Sequence, residues 1–129
     1  MLWDSAVASG IGGVSRYLVG GLSQRLVGGT FPSGTLLINI TGSFLLGFIL
    51  RYGVETTTLT PEVRAFLTVG FCGGYTTFST LSYEPVALAE DGQWARAALY
   101  VALSVGLSLV ATFLGLVAAR ELIEIRARI

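Results

Sequence analysis

Apolar residues fall in four long runs separated by short polar stretches. The runs cover about residues 5–27, 34–52, 62–89 and 94–123. Each approaches the roughly 20 mostly apolar residues that a helix needs to cross a bilayer. The pattern predicts an all-α membrane protein with four transmembrane helices. The connectors read as turns. Gly28-Gly29-Thr30-Phe31-Pro32-Ser33 is glycine-rich, and its Pro32 and Ser33 suit the start of the second helix. Thr60-Pro61-Glu62 has the form of an N-cap, a first-position proline and a first-turn acid. Glu90-Asp91-Gly92-Gln93 predicts a tight turn before the last helix. Residues 120–129 alternate charge with aliphatics and predict a cytoplasmic or interfacial helix end.

The third run contains an anomaly, Gly70-Phe71-Cys72-Gly73-Gly74-Tyr75-Thr76-Thr77-Phe78-Ser79-Thr80-Leu81. Glycines, threonines and a serine weaken a helix where the flanking residues demand one. Backbone broken at membrane depth must be buried in protein or line a wet cavity, because lipid satisfies no N–H or C=O. Gly73 and Gly74 permit unusual backbone angles, so the third helix is expected to break there. Freed carbonyls at such a break can hold a hard cation. One chain offers few of them, so a complete shell calls for a second copy.

Composition narrows the reading. The 129 residues are expected to form one domain, 1–129, that is 53% hydrophobic and only 12% charged, with a mean hydropathy of +0.73. A net charge of zero gives no case for nucleic-acid binding. The eight basic residues are all Arg and there is no His. With neither a nucleophile–base pair nor a metal cluster to assemble, an enzyme is not expected. Cys72 stands alone and suits packing beside the glycines. The N-terminal run lacks a basic leader region and is expected to be the first membrane helix. With four spans, Arg51, Arg64, Arg120, Arg126 and Arg128 fall on one side and Arg25 and Arg96 on the other. That bias is weak, because three of the five lie in the tail. Small residues four apart, among them Ala6 with Gly10, Ser9 with Gly13, Ser43 with Gly47 and Ala111 with Gly115, suit close helix packing.

Polar residues inside the runs supply the candidate chemistry. Arg16 in the first span either attracts an anion into a vestibule, ties helices together, or anchors at an interface. Thr35, Asn39 and Ser43 share one face of the second helix. Asn39 serves either an interhelical hydrogen bond or as an N–H donor into a pore. Tyr100, Ser104, Ser108 and Thr112 form a second stripe, about 18 Å long, on the fourth helix. Hydroxyl and amide donors with no carboxylate among them suit a small anion better than a metal cation. Phe78, Ser79 and Thr80 follow the break, and the ring edge of Phe78 carries partial positive charge. Glu84, ahead of Pro85, suits a vestibule, with proton coupling as the alternative.

On these pieces the chain resembles the small fluoride channels of the Fluc (CrcB) type. They are residues 12–17, Gly34-Thr35-Leu36-Leu37-Ile38-Asn39-Ile40-Thr41-Gly42-Ser43-Phe44, residues 70–80, and Tyr100 with Ser104 and Ser108. The resemblance runs through the whole chain in order. It implies an antiparallel, dual-topology homodimer in the cell membrane, with two fluoride pores and the third helix broken mid-membrane. Such channels let fluoride leave the cytoplasm passively. The resemblance also implies a structural, untransported Na⁺ at the dimer centre, held by the backbone carbonyls of Gly73 and Thr76. It carries the pore asparagine to Asn39 and the first phenylalanine of an aromatic box to Phe78. The polar track falls on Ser79, Thr80, Ser108 and Thr112 with Thr35 nearby, Tyr100 and Ser104 match helix-four positions, and Arg16 matches the helix-one arginine. One departure is Leu81, where the family commonly has a second phenylalanine. Tyr75 and Tyr83 are candidates to compensate. Two other readings have less support. A small proton-coupled exporter relies on a carboxylate in its first span, and here the only acid is Asp4 at its edge. A non-transporting scaffold would tolerate substitution at Gly73 and Asn39.

Overall fold

A computed structural model describes residues 2–129. The described residues are all-helical, with no strand among them. Helix α1 spans Leu2–Val27, α2 Ser33–Glu55, α3 Pro61–Ala65, α4 Gly73–Tyr75, α5 Phe78–Glu90 and α6 Trp94–Arg128, with a π-helical stretch, Phe66–Cys72, joining α3 to α4. The third run is thus one interrupted segment, and the described residues make four helical segments.

Local chemistry sets the ends. Gly28 and Gly29 turn the chain at φ +73° and +74°, a region open to glycine at little cost. The Gln24 carboxamide then holds the entry to α2. It donates to the Phe31 carbonyl at 2.9 Å and accepts from the Gly34 N–H at 3.1 Å. The Thr60 hydroxyl accepts from the Val63 N–H at 3.2 Å, with Pro61 opening α3, as its sequence predicts. Gly92 closes the turn before α6 at φ +81°.

Helices α2 and α6 run side by side over most of α2. Their approach depends on small residues. A Cβ on Gly115 would stand 2.2 Å from the Phe44 carbonyl oxygen, and one on Gly47 would stand 2.4 Å from that of Thr112. The predicted pairs Ser43/Gly47 and Ala111/Gly115 therefore meet each other. Gly10 and Gly13 face open space instead. Helix α1 packs on α2 and on the π-helical stretch and α4, while α5 packs on α6. The interrupted segment thus starts against α1 and ends against α6, with α2 between them. At the far end, Arg126 donates to the Tyr52 hydroxyl and ties α6 to α2.

The apolar surface is turned outward. Val7, Ile11, Val14 and Leu18 are exposed on α1, and Val101, Val105, Leu109 and Phe113 on α6. Such continuous apolar exposure suits a lipid environment. Helices α2 and α6 are long and apolar enough to cross a membrane, and most of each lies unburied.

Candidate functional site

The interruption lies at Thr76 and Thr77, not at the glycines. Thr76 has φ −81° and ψ 161°, and Thr77 has φ −149° and ψ 120°, both extended. Gly73 is helical at φ −62° and ψ −38°, and α4 includes Gly74. The expectation that glycine flexibility makes the break is corrected accordingly. Glycine at 74 serves close approach, since a Cβ there would stand 2.4 Å from the Ser9 carbonyl oxygen.

Two side chains organise the interruption. Asn39 on α2 pairs with the backbone of Thr77 in both directions. Thr77 N–H donates to Asn39 Oδ1 at 2.9 Å, and Asn39 Nδ2 donates to the Thr77 carbonyl at 3.2 Å. Thr77 then caps α5, its hydroxyl accepting from the Thr80 N–H at 3.3 Å. A continuous helix would send the Thr77 N–H to the Gly73 carbonyl and the Thr80 N–H to the Thr76 carbonyl. Both donors are used elsewhere. The Thr77 carbonyl is occupied by Asn39, and the Cys72 carbonyl accepts from the Thr76 N–H and hydroxyl, each at 3.0 Å. The donor set at Gly73 and Thr76 is therefore two peptide oxygens stripped of their helical donors, which is the ligand chemistry a hard cation takes. No group of three His, Cys, Asp or Glu side chains suited to a metal occurs among the described residues.

Cavities flank the Asn39–Thr77 pair, and Thr77 lines both. The first, about 740 Å³, is lined by Arg16, Thr35, Thr77, Thr80 and Glu84 among others. Thr35 Oγ1 donates to Glu84 Oε1 across it at 2.6 Å. Arg16 and Glu84 thus share a wide charged mouth. The second cavity, about 410 Å³, brings together Asn39, Thr76, Phe78, Ser104, Ser108 and Thr112, beside Ser43, Gly73 and Leu81. Its lining residues carry no formal charge. The α2 stripe therefore divides: Thr35 faces the charged mouth, and Asn39 and Ser43 face the neutral cavity.

Tyr100 and Ser104 are buried one turn apart on α6. The Tyr100 hydroxyl lies within range of the Ser104 and Thr35 hydroxyls, yet neither Tyr100 nor Ser104 makes a hydrogen bond of good geometry among the described residues. The Tyr100 and Phe31 rings meet in a T-shape, with centroids 5.7 Å apart at 80°. Leu88, Ala97 and Leu81 pack around it. A buried hydroxyl is costly unless it is well bonded, so Tyr100, Ser104 and Thr35 form a cluster of hydroxyls with donor capacity to spare.

Other expected residues are placed differently. Ser79 lines neither cavity; it is exposed, and its hydroxyl is 3.2 Å from that of Thr77. Phe78 borders the neutral cavity yet is 79% exposed. With Gly73 and Tyr83, also exposed, it marks an uncovered face along the interrupted segment. Neither Tyr75 nor Tyr83 lines the neutral cavity beside Leu81. Tyr75 is buried instead, 2.9 Å from the Thr41 hydroxyl and stacked on Phe71. Sequence reasoning missed Thr77. Its signal was a threonine directly before a restarting apolar run, the form of a helix N-cap.

Comparison with known proteins agrees along most of the chain. The family described as CrcB-like protein, Camphor Resistance (CrcB), matches residues 4–116. The chain is 49% identical over 117 residues to a fluoride-specific ion channel FluC of Geobacter sulfurreducens, covering 91% of this chain and 94% of that one. It is 45% identical over 113 residues to the FluC of Rhizobium meliloti, covering 88% and 90%. For the FluC of Chlorobaculum tepidum the identity is 48% over 109 residues, covering 84% and 86%.

Proposed function

Since the chain belongs to the CrcB family, we infer that it is a fluoride-specific ion channel, a membrane protein and not an enzyme. The observation that carries its mechanism is the neutral cavity where Asn39, Ser108 and Thr112 converge beside the unpartnered Ser104 hydroxyl. Fluoride is small and strongly hydrated, so it moves only where donors replace its water. The Ser104 hydroxyl has no acceptor of good geometry and can donate to it, whereas the Thr112 hydroxyl donates to the Ser108 carbonyl at 3.0 Å and must turn from that carbonyl to do so. The Asn39 pairing uses one of two Nδ2–H donors and leaves the other for the anion. Arg16, in the charged mouth, raises the local anion concentration, and Thr35 holds the Glu84 carboxylate aside. Fluoride then passes down its gradient, out of the cytoplasm across the cell membrane.

The working unit in this reading is an antiparallel homodimer with two pores. The uncovered face bearing Gly73, Phe78 and Tyr83 supports it, because Phe78 there also borders the neutral cavity. The break then lies mid-membrane at the dimer centre. The carbonyls of Gly73 and Thr76 would hold a structural Na⁺ in this reading, and its positive charge would fasten the two interrupted segments. The roles of Ser79 and Thr80 as track residues belong to this dimeric reading, Ser79 lying on the face that a second copy would cover.

Replacing Asn39 by Asp tests the path. The change keeps one acceptor for the Thr77 N–H but removes both amide donors and adds a negative charge. Fluoride efflux from liposomes is expected to vanish. Efflux at the wild-type rate would remove Asn39 from the pore.

A further inference from the structure

The interrupted segment has two competing ways to satisfy its backbone. In one, residues 76 and 77 close into helix, and the Gly73 and Thr76 carbonyls accept the N–H groups of Thr77 and Thr80. In the other, which this chain adopts, both N–H groups are taken by side chains: Thr77 N–H by Asn39 Oδ1 at 2.9 Å and Thr80 N–H by Thr77 Oγ1 at 3.3 Å. The two carbonyls released are the pair assigned above to a cation. The Thr77 carbonyl is not one of them, and accepts from Asn39 Nδ2 at 3.2 Å. Asn39 and Thr77 are both buried, so water does not readily replace these partners.

We propose that Asn39 and Thr77 are positioning residues for the cation site, each capturing the N–H that would otherwise cover a cation-facing carbonyl. The inference rests on the Na⁺ reading above and goes beyond it, because neither side chain touches the ion. Asn39 thereby serves two tasks through two atoms. Its Oδ1 holds the segment open for the cation, and its amide nitrogen serves the anion path. Any change that lets the helix close hides both carbonyls and moves the Phe78 ring as well, so cation site and anion path are coupled at one pair of residues.

The test measures equilibrium binding of radioactive Na⁺ to the purified full chain in detergent, with the thermal unfolding midpoint recorded in Na⁺ and in N-methylglucamine. Thr77→Val keeps the shape but removes the hydroxyl. It is expected to weaken Na⁺ binding about tenfold or more and to abolish the Na⁺-specific rise in midpoint. Thr77→Ser restores both. Asn39→Leu is expected to behave like Thr77→Val. Asn39→Asp keeps the acceptor oxygen and is expected to retain Na⁺ binding while losing fluoride flux. A Thr77→Val protein that elutes as wild type and binds Na⁺ with wild-type affinity overturns the inference. So does an Asn39→Asp protein that folds but no longer binds Na⁺, which keeps the question decidable if the valine variant misfolds. Wild-type protein that binds no Na⁺ would instead overturn the underlying cation reading, a separate and distinguishable failure.

Discussion

Tyr100 and Ser104 concentrate the argument at residue scale. Both are buried, and neither hydroxyl makes a hydrogen bond of good geometry among the described residues, although the Ser104 and Thr35 hydroxyls lie within range of Tyr100. A group kept for packing alone would be as well served by phenylalanine or alanine. Tyr100→Phe is therefore expected to change the thermal midpoint little, since the hydroxyl makes no hydrogen bond of good geometry that the change would break. Fluoride flux should fall in the same protein. A lower midpoint with normal flux would mean that the hydroxyl has a structural partner and no anion role. Asn39 presents the opposite case. Its carboxamide is paired in both directions with Thr77, so the interhelical bond and the pore donor, alternatives in the sequence, are compatible in one side chain. Leu81 packs near Tyr100 and also lines the neutral cavity. It offers that cavity an aliphatic wall.

At the scale of elements, the close approach of α1 to the interrupted segment holds the site in place. Gly74→Ala would put a methyl 2.4 Å from the Ser9 carbonyl, where backbone, not a flexible side chain, must yield. We expect a loss of about 1–3 kcal/mol, read as a lower unfolding midpoint in detergent. Gly10→Ala is the control. Nothing stands within 4 Å of its Cβ position, and a gain in helix propensity of up to about 1 kcal/mol makes it neutral or stabilising. Equal effects at the two positions would show that the contact does not matter. The helices themselves were legible in the sequence, because long apolar runs bounded by Thr60-Pro61, the Gly28-Gly29 turn and Gly92 leave little freedom. The location of the break was not. Glycine suggests flexibility to a reader of sequence, yet Gly73 and Gly74 are helical and the extended residues are Thr76 and Thr77. The decisive partner, Asn39, lies 38 residues away, and no local propensity reports a contact of that range. Nor could spacing alone divide Thr35 from Asn39 between two cavities, because that depends on which helix covers each turn of α2.

For the whole molecule, the uncovered face is the unresolved business of a single chain. Gly73, Phe78 and Tyr83 lie exposed on the interrupted segment, although this segment carries the polar backbone that lipid cannot satisfy. A second copy would cover it, and the weak arginine bias allows that copy to insert in the opposite sense. Light scattering of the purified protein is expected to give the protein mass of two chains. Phe78→Arg, which places a charge in that face, is expected to shift the mass toward one. A wild-type chain that is monomeric while still conducting would refute the dimeric pore.

The most direct measurement is anion efflux from liposomes reconstituted with the full chain, compared for fluoride and chloride under the same gradient. The account predicts rapid fluoride efflux with chloride retained, because the neutral cavity offers hydrogen-bond donors suited to a small, strongly hydrated anion. Equal efflux of both ions, or none of either from folded protein, would contradict it.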